Sequence, residues 1–214
     1  MALFLDITMS LDGYVAGRDQ TLEQPLGDGG EGLHEWVVGL AGWRKRHGLE
    51  GGVGGADDDL LEETVSRAGA FVMGRRMFSS GEGPWETDPN RDGWWGDEPP
   101  FHVPVFVLTH HERAPASMQG GTTFTFVTDG AEAALARARE AAGDRDVQVA
   151  GGASVAQQYL AAGLLDELQV HVVPLLLGGG TRLFDGLPDG VVRLECTRVL
   201  ESPAVTHLRY RVLR

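Results

Sequence analysis

The chain has a single cysteine, Cys196. One thiol excludes an intramolecular disulfide and any metal site built from several cysteines. Cys196 lies in the run 191–200, where a buried strand thiol is expected rather than a nucleophile. Long apolar runs are missing too, since no stretch reaches the ~18 residues of a membrane span. The opening Met1-Ala2-Leu3-Phe4-Leu5-Asp6 lacks the basic start and long apolar core of a secretory signal. A cytoplasmic protein is therefore expected. Basic residues are few: 18 Lys and Arg stand against 31 Asp and Glu, for a formal net charge of −13. That balance argues against general binding of nucleic acid or anionic membrane. An anionic ligand would need local positive groups set against the overall field. No internal repeat and no linker divides the 214 residues. One domain over 1–214, with a substantial core, is expected.

What the chain does have is glycine, 31 residues in all, about twice the usual ~7%. The chain is organised around Val147-Gln148-Val149-Ala150-Gly151-Gly152-Ala153-Ser154-Val155, an apolar strand running through a Gly-Gly pair into a helix. Glycines there remove the Cβ atoms that would hold a ligand off the backbone. A helix start adds unpaired N–H groups and the positive end of a dipole. Phosphate binding is one reading, with Ser154 as N-cap or hydroxyl donor. A plain tight turn is the other, because Gly-Gly pairs recur throughout this chain.

Two further turns share this character. Ala70-Phe71-Val72-Met73 reads as a buried strand entering Gly74-Arg75-Arg76. These guanidiniums are suited to phosphate oxygens, or are a basic turn paired with carboxylates. Val103 to Leu108 is a strand ending in Thr109-His110-His111. Adjacent histidines on an extended chain point oppositely and no other ligand spacing accompanies them, so no metal site is expected.

The remaining pattern supplies the frame. Strands are expected at Leu3–Met9, at Phe124–Val127, around His171 and over 191–200 and 204–213. His171 reads as a wall residue on one strand face. Leu33, Trp36, Val37 and Leu40 form one helical stripe, with His34 and Glu35 off it and exposed. Asp57 to Ala68 is a helix with acids at its positive end and Gly69 as its stop. Asp129-x-x-Glu132 resembles a capping box. The loop 79–102 carries Trp85, Trp94 and Trp95, which pack or stack on a flat heterocycle. Asp12-Gly13 is a turn signal, and Gly178-Gly179-Gly180 lets a backbone pass very close to a ligand or a strand. The sum is an α/β fold: a mixed, mostly parallel sheet of about eight strands, helices on both faces, and a C-terminal antiparallel hairpin.

Ligands of open α/β sheets gather at the carboxyl ends of the strands. Three anion-friendly turns at that edge suit a dinucleotide with an extra phosphate, NADP(H). The usual G-x-G-x-x-G fingerprint is missing, so an ordinary dinucleotide fold is disfavoured.

Ser10-Leu11-Asp12-Gly13-Tyr14-Val15-Ala16, Val72-Met73-Gly74-Arg75-Arg76-Met77-Phe78, Val105-Phe106-Val107-Leu108-Thr109, Ala150-Gly151-Gly152-Ala153, Asp166-Glu167-Leu168 and Pro174 through Phe184 together resemble the dihydrofolate reductase-like superfamily. Within it they are most similar to the C-terminal reductase domain of the bifunctional riboflavin-biosynthesis deaminase/reductase (RibD type). The resemblance spans nearly the whole chain. It implies an NADPH-dependent reductase, a homodimer, and a pyrimidine, pterin or ribosylamine substrate such as 5-amino-6-(5-phosphoribosylamino)uracil. It places Gly74, Arg75 and Arg76 at cofactor phosphates. Thr109 and His110 fall near the adenosine 2′-phosphate, and Gly151, Gly152, Ala153, Ser154 and Val155 at the pyrophosphate. Val15, Ala16 and Gly17 fall along the nicotinamide. Asp12, the acid in the better-matched segment, is the expected catalytic group, and Glu35 is the nearest carboxylate on the first helix. No H-x-E with P-C-x-x-C occurs, so zinc deaminase chemistry is not expected of these residues. A non-catalytic NADPH-binding dimer, or a relative acting on another substrate, is the competing function.

Overall fold

The computed structural model describes residues 1–187 and 192–213. In chain order the strands are β1 (Leu3–Ser10), β2 (Tyr14–Ala16), β3 (Ala68–Gly74), β4 (Pro104–Leu108), β5 (Ala116–Ser117), β6 (Thr123–Val127), β7 (Asp146–Gly151), β8 (Glu167–Val173), β9 (Thr181–Arg182), β10 (Arg193–Glu201) and β11 (Thr206–Leu213). The helices are α1 (Glu35–Val38), α2 (Ala41–Arg46), α3 (Ala56–Arg67), α4 (Arg75–Ser79), α5 (Ala131–Ala142) and α6 (Ala153–Ala161). Val191, expected to open the first strand of the closing hairpin, lies outside the described residues.

Among the described residues one nine-stranded sheet runs in the order β10-β11-β8-β1-β7-β3-β4-β6-β5, and β2 pairs with β9 beside it. The strands β8, β1, β7, β3, β4 and β6 are mutually parallel. The hairpin β10–β11 closes one edge antiparallel to β8. The mixed sheet with its terminal hairpin is the expected fold, with one strand more in the sheet.

Strand alternation splits the core into two layers. Leu5, Ala70, Val72 and Val149 pack with Ala134, Leu135 and Ala138 of α5 and Val155, Ala156 and Tyr159 of α6. Phe4, Phe71, Met73 and Val105 face the other way, onto Phe78 of α4 and Trp85. On that second face Thr64 of α3 hydrogen-bonds the Gln169 side chain of β8 at 2.7 Å. Both faces of the sheet thus carry helices, which is why the central strands are apolar almost throughout. No helix among the described residues is long and apolar enough to cross a membrane.

Local details depart from the sequence pattern. The stripe Leu33, Trp36, Val37 and Leu40 is broken into a 3-10 turn, Gly30–Leu33, and the short α1, although Leu33, Val37 and Leu40 are buried as expected. Gly69 does not stop α3. Ala68 turns extended there (φ −72°, ψ 120°), and Gly69 lies inside β3. A Cβ on Gly69 would come within 2.7 Å of the Ala142 carbonyl oxygen, so glycine serves close packing of α5 on the strand. Asp129 does not cap α5; Gly130 holds the N-cap position and Asp129 pairs with Arg137 at 2.6 Å. Cys196 is on a strand but exposed, because β10 is the outermost strand. The glycine run answers its own question: Gly180, at φ +124°, lies against the Ala16 carbonyl oxygen of β2.

Candidate functional site

The parallel register brings the three predicted turns together. Met73 pairs with Gly151 and Gly74 with Leu108, so β7, β3 and β4 end side by side. A Cβ on Gly74 would fall 3.0 Å from the Val155 side chain and 3.9 Å from the Gly152 nitrogen. Thr109 follows β4 directly and is buried, its backbone N–H donating to Val127 and its hydroxyl accepting from the His111 N–H at 3.1 Å. His110 is exposed beside it. The Val15-Ala16-Gly17 segment reaches the same edge through β9: Tyr14 pairs with Arg182. Gln157 of α6 donates to the carbonyls of Arg182 and Leu183, both at 3.1 Å.

The Gly151–Gly152 peptide is cis, and Gly151 has φ +138°. Gly152, not Ser154, is the N-cap of α6, and no side chain caps that helix. Ser154 stands one residue into the helix, exposed, its hydroxyl 3.3 Å from Gln158 Nε2. A Cβ on Gly152 would meet nothing within 4 Å. The backbone is therefore open to a ligand at this point, and α6 has no acid in its first turn to oppose an anion.

The two arginines divide. Arg75 is buried, paired with Asp88 at 2.6 Å and lying 3.3 Å over the Trp85 ring, with Ser79 as a further partner. Its guanidinium is a core group, contrary to the phosphate role expected for it. Arg76 is exposed and pairs with the equally exposed Glu82. Such a surface pair is worth at most ~1 kcal/mol, so Arg76 can exchange Glu82 for a phosphate.

Asp12 is a clamp between loops. Its carboxylate accepts from the Ser10 hydroxyl at 2.6 Å, the Leu177 N–H at 3.1 Å and the Gly178 N–H at 2.8 Å. The Ser10 bond, joined by those from the two amides, holds the carboxyl below its ordinary range against a smaller cost of desolvation. Asp12 does not line the cavity described next.

That cavity, about 180 Å³, is lined by Asp6, Ile7 and Thr8 of β1, His34, Trp36, Leu60 and Thr64 beside them, Ala150, and His171 of β8. It is small against the ~300–1,000 Å³ of drug-sized sites, and suits one ring of a ligand. Ala150 is the residue before Gly151, so the cavity adjoins the glycine edge. Trp36 Nε1 donates to the Thr8 hydroxyl at 3.2 Å, and its ring lies 4.8 Å from His171. Among the described residues His34 Nδ1 is buried without a hydrogen-bond partner. Burial, then His171, holds His34 below its ordinary pKa. Burial also acts to raise the Asp6 pKa, but His171, Gln169 and His207 together outweigh it and hold the carboxyl low. His171 Nε2 and Gln169 Nε2 both donate to Asp6 Oδ1, at 2.8 and 2.7 Å.

Sequence reasoning missed this group. Asp6 carried a signal, a lone charge inside the apolar run Leu3–Met9. His34 was expected to be exposed and Glu35 to be the carboxylate candidate; His34 lines the cavity, while Glu35 is exposed and does not. The tryptophan of the cavity is Trp36. Trp85 is buried against Phe78 and Phe126, Trp95 packs on Phe101, and Trp94 is partly exposed.

This sheet, with its glycine edge and adjoining cavity, is that of an open, mostly parallel α/β domain. The sequence profile of the RibD C-terminal domain family matches residues 2–208, and the chain belongs to that family. It is 33% identical over 84 residues to the uncharacterized protein YwjB of Bacillus subtilis, a match covering 39% of this chain and 48% of that one. Among solved structures, a Shewanella sp. PV-4 protein linked by name to riboflavin biosynthesis superposes over all of both chains with TM-score 0.64 and 21% identity. The riboflavin biosynthesis reductase of Saccharomyces cerevisiae has TM-score 0.55 and 14% identity, covering all of this chain and 89% of its own. Acinetobacter baumannii RibD has TM-score 0.58 and 16% identity; this chain covers 58% of its length. The family is one of oxidoreductases related to the pyrimidine reductases of riboflavin biosynthesis. The structural likenesses, at these identities, concern the fold.

Proposed function

We propose that the protein is an NADPH-dependent reductase of a small heterocyclic substrate of the pyrimidine, pterin or ribosylamine kind. One observation carries this reading: Ala150 lines the cavity while Gly152, two residues on, is the open point of the glycine edge. A cofactor held on that edge and a ring held in the cavity are neighbours. The bound dinucleotide would supply a hydride. The chain's own part is to hold and orient. Backbone N–H groups at the start of α6 and the Arg76 guanidinium meet phosphates, His110 stands at the outer turn, and Val15 to Gly17 lie along the nicotinamide. Trp36 and Thr8 wall the ring, and Asp12 keeps the 174–184 loop in place.

Titration with NADPH, followed by its fluorescence, tests the cofactor half. Oxidation of NADPH with aminouracil or dihydropterin substrates tests the other half. Micromolar binding with turnover is expected; no binding at millimolar NADPH overturns the reading. The reading also has two copies of the chain associate. The outer strand β10 exposes Leu194 and Val199, an edge suited to a partner strand. A strictly monomeric mass by light scattering at high protein concentration would remove that part.

A further inference from the structure

Beyond the cavity wall, His171 continues into a line of four polar side chains. Asp6 Oδ1 lies 2.8 Å from His171 Nε2, His171 Nδ1 lies 2.6 Å from His207 Nδ1, and His207 Nε2 lies 3.1 Å from Asp57 Oδ1. The side chains of Asp6 and Asp57 are 17% and 20% exposed, while those of His171 and His207 are 6% and 3%. The line is thus open at both ends and closed in the middle. One end lines the cavity, and the other is at the start of α3. Among the described residues no three His, Cys, Asp or Glu groups converge to hold a metal ion; these four are strung end to end.

Proton counting gives the line its character. Three hydrogen bonds between two carboxylates and two imidazoles need three ring protons, whereas two neutral imidazoles carry two. A third proton closes all three contacts and is shared by the pair. Burial and the neighbouring His171 act against charge on His207, more than Asp57 and Asp6 act for it. The third proton is therefore held loosely. Other charged groups facing the line are His34, on which the field of His171 acts, and Arg209, which reaches Asp6 through Gln169, donating to its Oε1 at 2.7 Å.

We infer that Asp6, a carboxylate at rest, hands the substrate in the cavity a proton that it takes from His171 Nε2, and that His171, His207 and Asp57 are positioning residues that restore this proton from solvent. This rests on the reductase reading. Hydride from the dihydronicotinamide adds to the carbon of a C=N or C=O bond. The π electrons pass to the nitrogen or oxygen, and Asp6 takes the proton of His171 Nε2 and passes it to that atom. Asp6 ends as the carboxylate it was, a bound dihydronicotinamide would end oxidised, the imidazole pair is one proton short, and one proton entering at Asp57 restores the count. Among the described residues no donor reaches Asp6 Oδ2, so that oxygen is available to a substrate.

Imidazole 15N NMR of the full chain without cofactor, titrated with pH, tests the line directly. A relay has the His171 and His207 signals move together with pH, because the shared proton belongs to both rings. Asp57→Asn then shifts the signals of both rings. Independent titrations, or a shift confined to His207, overturn the relay. In turnover, the rate falls as pH rises and the pair loses its third proton. His207→Gln moves that limb of the profile, where a merely structural residue would lower the rate equally at every pH. Asp6→Asn keeps NADPH binding and loses about 100-fold or more in turnover. Full turnover in Asp6→Asn sinks the acid and leaves the reductase standing. Failure of the unaltered chain to bind NADPH sinks both.

Discussion

The glycine edge and the cavity beside it touch at Ala150, yet they are built on opposite plans. The edge is made of backbone. Each of its turns belongs to one strand end and is written in a few consecutive residues, as in Gly74-Arg75-Arg76 or Gly151-Gly152-Ala153. The cavity is made of side chains drawn from distant parts of the chain: Asp6, His34, Thr64, Ala150 and His171. An edge of this kind grips any ligand with phosphates in the right places. A cavity of this kind can change its chemistry one residue at a time without disturbing the edge. Such a division would let one fold keep its glycine edge while the chemistry of the cavity changes.

Substitutions can sharpen or break that contrast. The largest effect is expected inside the edge but outside its function. Arg75→Ala leaves Asp88 as a buried, unpaired charge and costs about 3–5 kcal/mol of stability, seen as a drop in urea midpoint, with NADPH affinity of the folded fraction retained. Loss of affinity at unchanged stability would return Arg75 to the phosphate site. Gly152→Asp comes next. Open space receives its side chain, so the melting temperature holds, but a carboxylate beside a phosphate weakens NADPH binding about 100-fold or more. Arg76→Ala is milder, weakening NADPH about tenfold through one lost charge-assisted bond, and isothermal titration measures it. Affinity unchanged there would leave the grip to backbone alone.

Smaller again is Asp12→Asn. If Asp12 is a clamp, it raises KM modestly and leaves the shape of the pH–rate profile intact; a lost limb would make Asp12 the acid after all. The gentlest probe is pH itself. His34 and His207 are both held below the ordinary histidine value by burial first and His171 second. The unfolded chain then binds more protons than the folded one. Stability present above the ordinary value near 6.5 is expected to fall as pH drops through it, read as a lower melting temperature at pH 5.5 than at 7.5. His34→Gln should soften the decline. No change between those pH values would mean both rings titrate as in the unfolded chain.

The sequence carried the edge well and the cavity poorly. Gly-Gly before a helix, a strand ending in Gly-Arg-Arg, and a strand ending in Thr-His each report on their own backbone within a few residues. Arg75 shows where that ends. Nothing in Gly74-Arg75-Arg76 says which guanidinium turns inward, because Asp88 and Trp85 are supplied by a loop of irregular structure. His171 read as a wall residue, and it is one; its partner lies 36 positions on, in a strand whose pairing no local pattern states.

By itself the sequence settled the strand–helix alternation, the closing hairpin and the glycine turns, because periodicity and backbone freedom are local properties. Only the tertiary structure decided that β11 lies against β8 and β1 beside it. That pairing joins Asp6, His171 and His207 into one line, and the packing of α3 on the sheet adds Asp57. Residues so far apart in the chain meet through burial of the whole sheet, and no local preference encodes such a meeting.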